Sequence, residues 1–452
     1  MSQISHPRGH AGAKHSASPR KLTLFPLIAA TYFMVAGGPY GLEEIVQKTG
    51  YFSTILILLL TPLLWSVPTA LMVSELASAL PEEGGFYAWV RRAMSPFWGY
   101  QEAWLTLAGS IFDMALYPTL FVFYLGHLAP ALTRDHRGFL LGLGMIAVCT
   151  LWNILGARAV GSGSLLLSVV LLAPFVLLMG YALAHRSATG VSHTPLSHTD
   201  LLGGILIAMW NYMGWDNTST VAAEVDRPQR TYPLAMLSAV TLVVLSYVLP
   251  VAAVALTGVD PNLWSTGGWV DIARTLGGEW LAIAITFAGV VGAVGSFNAL
   301  MLSFSRLPLA MTQDGFLPKV FARRHPRTGA PWVAIVFCAI GWTASLTLGF
   351  ERLVILDVFL TGLSVLLEFW ALVALRVREP ELPRPYRVPG GLLGSVLVGL
   401  GPLALMTAAL VRNRSEQLGS MSALTVGLTL IAAGPLLYLV SSLFQARRKL
   451  RL

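Results

Sequence analysis

Long apolar runs separated by short polar connections dominate the chain. The runs fall near residues 22–47, 51–79, 97–127, 138–156, 162–185, 201–222, 233–257, 280–310, 331–349, 353–376, 391–411 and 421–444. A helix needs about 20 apolar residues to cross the hydrocarbon core of a bilayer. The pattern therefore predicts an all-α integral membrane protein with twelve transmembrane helices. A secretory signal does not account for the first run, which has no small-residue cleavage site and precedes eleven more spans. Residues 1–20 are polar and are expected to form a disordered tail.

Composition sharpens this picture. Hydrophobic residues make up 55% of the 452 positions and charged residues only 12%, against about 25% charged in soluble domains. This excludes a soluble enzyme and, equally, a disordered chain. A net charge of +8 would suggest nucleic acid in a soluble protein. In a membrane protein the question is which side the charge lies on. With the N-terminus inside, 22 of the 30 Lys and Arg residues fall on inner segments, among them Arg91, Arg92, Arg323, Arg324, Arg447 and Arg448. Basic residues collect on the cytoplasmic side, so both termini are expected in the cytoplasm and no nucleic-acid partner is expected.

Two of the runs are interrupted. The first contains Ala36-Gly37-Gly38-Pro39, and the sixth contains Asn211-Tyr212-Met213-Gly214-Trp215-Asp216. Proline lacks the amide donor and glycine removes the steric bias toward helix. Taken alone, Gly-Gly-Pro is equally a kink or a close helix crossing. Interruptions five spans apart point further, to a transporter binding site built on inverted repeats. Every backbone polar group in lipid must be paired internally. Unwound turns are tolerated where they face a ligand or water, and their freed amides attract a carboxylate.

Ionisable residues inside the membrane are costly and mark function or a partner. Glu43 and Glu44 follow the first interruption, Asp113 sits in Phe112-Asp113-Met114, Asp216 lies in the second interruption, and Glu368 lies late in the tenth run. Asp113 has no local neutralising group. It reads as a counter-ion for a substrate amine or as a carboxylate that takes and releases a proton, against a structural hydrogen bond to a neighbouring helix. Glu43 either meets substrate or faces a solvated vestibule, and Glu44 is expected in the vestibule. Asp216 either pins the unwound backbone or touches substrate. Glu75, Glu102 and Glu224 are expected to pair with inner basic residues such as Arg91 and Arg158. Trp215, beside Gly214, reads as an aromatic lid with cation–π attraction to an ammonium, against a plain core role.

No catalytic constellation or metal site is visible. His185, His193 and His198 lie in a loop and no histidine pair has ligand spacing inside the spans, so the chain is not expected to be an enzyme. Cys149 and Cys338 both lie in apolar runs. They suggest neither a disulfide framework nor zinc, and no outer loop holds a cysteine for a disulfide-linked heavy chain.

Several strings resemble the amino acid–polyamine–organocation permeases. They are PLLWSVPTALMVSELASALPEEGGFYAWVRRAMSPFWGYQEAWL (62–105) and SRLPLAMTQDGFLPKVFARRHPRTGAPW (305–332). AGGPYGLEE (36–44), FDMALYPTLF (112–121), WDNTSTVAAEVDRPQRTYP (215–233) and LLEFWALVALRVREPELPRPYRVP (366–389) resemble the branch that contains the plant polyamine uptake transporters. The likeness runs from about 22 to 390. It implies a LeuT-type fold of 5+5 inverted repeats with helices 1 and 6 broken. The transporter core would span 21–390, helices 11–12 would span 391–446, and a basic cytoplasmic tail 447–452.

The resemblance also implies a plasma-membrane carrier that imports its small-molecule substrate, an amino acid or polyamine, by alternating access. A proton gradient would drive it and no cofactor would be needed. Substrate would meet Ala36, Gly37, Gly38, Tyr212 and Gly214, with Glu43, Asp113, Trp215 and Asp216 at further motif positions and helices 3, 8 and 10 lining the site. The chain departs from some bacterial members in one respect. The stretch Ser168–Pro174 has no lysine to stand in for sodium, so Asp113 and Glu43 are the proton-coupling candidates. Exchange or uniport by the same fold, and a sensor that has lost transport, are the alternatives; a sensor is expected to carry long signalling domains at its ends.

Overall fold

The computed structural model describes residues 22–82, 84–134, 136–155, 160–187, 190–192, 199–413, 417–418 and 421–449. The expected tail at 1–20, Arg158, His193 and His198 lie outside these residues, as do the last residues of the basic tail.

The helices in chain order are α1 (Leu24–Val35), α2 (Glu43–Leu64), α3 (Ser66–Ala79), α4 (Phe86–Ala93), α5 (Pro96–Leu128), α6 (Pro130–Thr133), α7 (His136–Ile154), α8 (Val160–Ala184) and α9 (Leu201–Asn211). There follow α10 (Pro228–Ala255), α11 (Trp269–Gly277), α12 (Glu279–Phe304), α13 (Arg306–Gln313), α14 (Trp332–Thr343), α15 (Phe350–Arg378), α16 (Gly391–Asn413) and α17 (Ala423–Lys449). Among the described residues nine helical stretches are long and apolar enough to cross a membrane, and α1 and α14 are shorter apolar helices. A two-stranded antiparallel pair, Gln417–Leu418 with Met421–Ser422, joins α16 to α17. It is a small addition to the expected all-helical architecture.

Local chemistry sets the boundaries. α2 is two segments in one: Gly50, at φ +72°, turns the chain between Glu43–Thr49 and the run that begins at Tyr51. At Trp65 the backbone leaves helical geometry (φ −121°), which separates α2 from α3. α5 opens with Pro96, whose missing amide costs nothing in a first helical turn.

The bundle is built around α5, which packs against α15, α12, α4 and α17. α16 and α17 lie outside it and present Leu393, Leu397, Leu436, Leu443 and Phe444 to the surroundings. So large an apolar surface fits lipid and not water.

The two ends of the bundle close differently. At one end Glu75 of α3, only 1% exposed, is held by Arg376 at 2.5 Å, by Arg384 at 3.3 Å and by the Val388 amide at 2.7 Å. Arg91 pairs with Asp314, and Arg92 reaches Glu379 at 2.8 Å and Glu82 at 3.4 Å. Glu75 thus pairs with inner basic residues, as expected, but with Arg376 and Arg384, while Arg91 is taken by Asp314. At the same end the Asp226 amide donates to the Leu22 carbonyl at 2.8 Å, which ties the entrance of α1 to the exit of the second interruption. At the opposite end, the segment between α10 and α12 folds over α2, with Trp264 donating to the Tyr51 hydroxyl and Trp269 to the Pro39 carbonyl.

Candidate functional site

Both expected interruptions are present, and they meet. After α1 and its cap Ala36 the chain leaves helical geometry at Gly37 (φ +60°) and runs irregularly to Leu42, with Gly38 at φ +101°. A side chain at Gly37 would run into Ser296, and one at Gly38 into Tyr40 and Leu171, so both positions need glycine twice over. The amides of Gly38, Tyr40, Gly41 and Leu42 donate to no backbone carbonyl, as expected of an unwound turn.

The second interruption follows α9. Gly214 adopts φ +93°, and the chain resumes as the 3-10 stretch Trp215–Glu224. A Cβ on Gly214 would sit 2.6 Å from the Met34 carbonyl oxygen. Only glycine lets the two unwound segments pack this closely.

Beside the first interruption lies a narrow cavity. Ala36, Gly37 and Tyr40 form one wall, Tyr117, Leu120 and Tyr124 of α5 a second, and Gly289, Gly292, Ala293 and Ser296 of α12 a third; Trp210 of α9 closes it. The small residues of α12 leave the space, and the aromatic rings frame it. Ser296 is buried and its hydroxyl has no partner among the described residues.

The sequence-predicted residues divide into those at this cavity and those behind it. Ala36 and Gly37 line it. Asp113 stands behind two lining residues: the Trp210 indole N–H donates to its Oδ1 at 3.2 Å, and the Tyr117 hydroxyl lies 3.5 Å away. Glu43 is fully buried, which removes the solvated-vestibule alternative. Its Oε1 accepts from the Tyr124 hydroxyl and, at 3.3 Å, from the Gly267 amide, while Oε2 is unpartnered. Glu44 accepts from Thr266 on the same covering segment. Glu43 thus connects the cavity wall to the segment that covers it.

Tyr212 and Trp215 are not lining residues. The Tyr212 hydroxyl is spent on the Leu58 carbonyl at 2.8 Å, and the Trp215 indole N–H on the Tyr212 carbonyl at 2.7 Å. The aromatic neighbour of the second interruption that reaches the cavity is Trp210, one turn earlier. Gly38 and Gly214 shape the interruptions without lining the space.

Asp216 is buried and does not line the cavity; its Oδ1 is unpartnered, while its carboxyl accepts from its own backbone amide in the interrupted stretch. Its charge is near enough to bear on Asp113, Asp357, Glu102 and Glu368. Glu102 was expected to pair with an inner arginine. It accepts instead from Ser364 at 2.8 Å and Thr106 at 3.3 Å, because it points into the α5–α15 contact. The side chain of Glu224 is outside the described set. Asp357 was not singled out from sequence, although an acid in Leu356-Asp357-Val358 carries the same signal as Asp113. It is buried and accepts from Thr361 at 2.7 Å.

Unwound backbone facing a cavity, framed by aromatic rings and backed by carboxylates within a membrane-embedded bundle, defines a carrier for a small molecule. The family model for amino acid permeases matches residues 28–431, and the chain belongs to the amino acid permease family. It is 36% identical to the polyamine transporter PUT1 of Oryza sativa subsp. japonica, over 94% of this chain and 80% of that protein. It is 34% identical to the polyamine transporter RMV1 of Arabidopsis thaliana, over 91% and 84%. It is 26% identical to the serine/threonine exchanger SteT of Bacillus subtilis, over 71% and 74%. The chain is accordingly a multi-pass membrane transporter and not an enzyme.

Proposed function

We propose that this protein imports polyamines or related cationic amines across the plasma membrane by proton symport, through alternating access. In this reading twelve spans form a LeuT-type 5+5 inverted repeat. α1 with Glu43–Thr49 makes the first broken helix, and α9 with the 3-10 stretch makes the sixth. Both termini are cytoplasmic, which places the Glu75–Arg376–Arg384 cluster at the inner end and the Trp264–Trp269 segment at the outer end.

One observation carries the substrate class. Asp113 backs the cavity wall through Trp210 and Tyr117, Asp216 and Asp357 are near enough to repel it, and no Lys, Arg or His is bonded to any of the three among the described residues. Buried carboxylates without a cation are expensive, and a substrate ammonium supplies one. Trp210, Tyr117 and Tyr124 add aromatic faces suited to the same charge. The two relatives named as polyamine transporters support this reading.

Amino acid exchange is the second reading. The amides of Gly38 and Tyr40, which donate to no backbone carbonyl among the described residues, suit a substrate carboxylate, and one relative is named as a serine/threonine exchanger. The test is uptake of labelled putrescine, spermidine, arginine and leucine into proteoliposomes, with and without an inward proton gradient. Gradient-driven uptake of putrescine or spermidine is expected. Selective uptake of leucine would overturn the polyamine reading, and uptake indifferent to the gradient would overturn symport.

A further inference from the structure

A second set of acids lies apart from the substrate cavity. On α5, Glu102, Thr106, Asp113 and Tyr117 recur at helical spacing and share one face. On α15, Asp357, Thr361, Ser364 and Glu368 do the same. The two faces pack against each other. Ser364 bridges them by donating to Glu102 at 2.8 Å and lying 2.9 Å from the Thr106 hydroxyl. Midway, Gly109 makes room for Thr361, which any Cβ there would strike.

At one end of this seam are Asp113 and Asp357. At the other are Glu102 and Glu368, about 16 Å from the first pair along the helix axis. Glu368 is fully buried, and neither of its carboxyl oxygens has a hydrogen-bond partner among the described residues. Glu102 is equally buried and its Oε2 is unpartnered.

The charges facing Glu368 are Glu102 from α5 and Asp216 from the 3-10 stretch. Among the described side chains, the basic groups next to this seam are engaged elsewhere. Arg376 and Arg384 hold Glu75 of α3, Arg91 and Arg92 of α4 hold Asp314 and Glu379, and Arg412 of α16 holds Asp200. α9 has no ionisable residue. Neither Glu102 nor Glu368 lines the substrate cavity, and a buried carboxyl with an unpartnered oxygen takes up a proton more readily than it stays charged.

We propose that Glu102 and Glu368 together form the proton-holding site of the carrier, with Asp216 as its link to the substrate cavity. One carboxyl of the pair carries the proton while the other stays ionised, and Ser364 and Thr106 hold Glu102 in place through Oε1. Asp216 sits on the interrupted stretch, and its charge bears on both acid pairs. An ammonium arriving at Asp113 and Asp357 screens Asp216, and a proton on the Glu102–Glu368 pair relieves it as well. Each cation therefore favours the presence of the second, which is the coupling a symporter needs. The proton leaves as a proton to water when the inner end opens, with no other bond changed.

This inference rests on the proton-symport reading, and the experiment separates the two. Wild type, Glu368→Gln, Glu102→Gln and Glu368→Asp are reconstituted and assayed for putrescine accumulation under an inward proton gradient, and for putrescine exchange without one. Glutamine mimics the protonated acid. Both glutamine variants are expected to lose gradient-driven accumulation by about tenfold or more while keeping exchange, and Glu368→Asp is expected to restore part of the drive. Gradient-driven accumulation that survives in Glu368→Gln overturns the assignment and leaves symport standing. Wild-type uptake indifferent to the gradient overturns symport and the assignment with it. Loss of exchange in Glu368→Gln, with putrescine binding retained in a thermal-shift assay, also overturns it, because the carboxylate would then serve the transport cycle itself.

Discussion

Asp113→Asn is the most direct probe of the substrate site. Asparagine keeps an oxygen that can accept from the Trp210 indole and the Tyr117 hydroxyl, so the side chain holds its place. What disappears is the negative charge. An ammonium about 4 Å from a carboxylate gains roughly 4 kcal/mol at an effective dielectric near 20, and a hydrogen bond to a charged group contributes about 1.5–3 kcal/mol net. Taking about 2–4 kcal/mol as the loss, putrescine affinity should fall about 30- to 900-fold, at roughly 1.4 kcal/mol per decade. The fold should not suffer, because the substitution removes one of three carboxylates near enough to repel one another. Binding is read with labelled putrescine on purified protein, and stability by thermal melting of the same sample. An affinity within about threefold of wild type would refute the reasoning, since it would place the ammonium elsewhere.

Three further outcomes follow from named contacts. Tyr124→Phe removes the side-chain donor to the buried Glu43, at a cost of about 1–3 kcal/mol; thermal melting should drop and amide exchange around Gly267 should rise, and no change in either would count against a latch at Glu43. Gly214→Ala places a Cβ against the Met34 carbonyl in a left-handed conformation that costs about 1–2 kcal/mol for an L-residue; substrate binding should collapse with helical content intact, and wild-type uptake would show that the interruptions need not meet. The Arg412 guanidinium holds the Asp200 carboxyl below its usual range. This stabilisation is fully present above the unfolded value of about 3.9 and is lost as pH falls through the lower folded value. The melting gap between wild type and Arg412→Gln should therefore be full near neutrality and narrow below about pH 4, and a gap unchanged in strong acid would reject the pairing.

The sequence carried the interruptions because glycine and proline act locally. Gly37, Gly38 and Gly214 have the positive φ that their neighbours imply. Asp113 was legible because an acid in an unbroken apolar run has few places to go. The orientation of side chains beyond an interruption was not legible. Trp210 and Trp215 flank the same break, and the backbone turn at Gly214 decides which indole reaches the cavity. Pairing across long separations was also out of reach. Glu75 meets Arg376, 301 positions away, and nothing near Glu75 names that partner. Asp357 and the repeated spacing on α5 and α15 were available as patterns, but they acquire meaning only once the two faces are known to touch.

The two closures of the cavity differ in kind, and the difference bears on how such a carrier alternates. One end is covered by rings and neutral hydrogen bonds: Trp264 on Tyr51 and Trp269 on Pro39. Each contact is worth about 0.5–1.5 kcal/mol net, so this cover opens in small steps. The other end is fastened by Glu75, buried among Arg376, Arg384 and the Val388 amide. Parting a buried ion pair without replacing its partner costs about 3–5 kcal/mol, so this end resists partial opening and separates only when water enters to solvate the charges. A closure that yields gradually admits a substrate from dilute solution, and one that yields all at once keeps a captured cation from leaking. No Lys, Arg or His is bonded to Asp113, Asp216 or Asp357 among the described residues, so on the polyamine reading the carrier is least stable when empty, and binding supplies the charge that lets both ends stay shut.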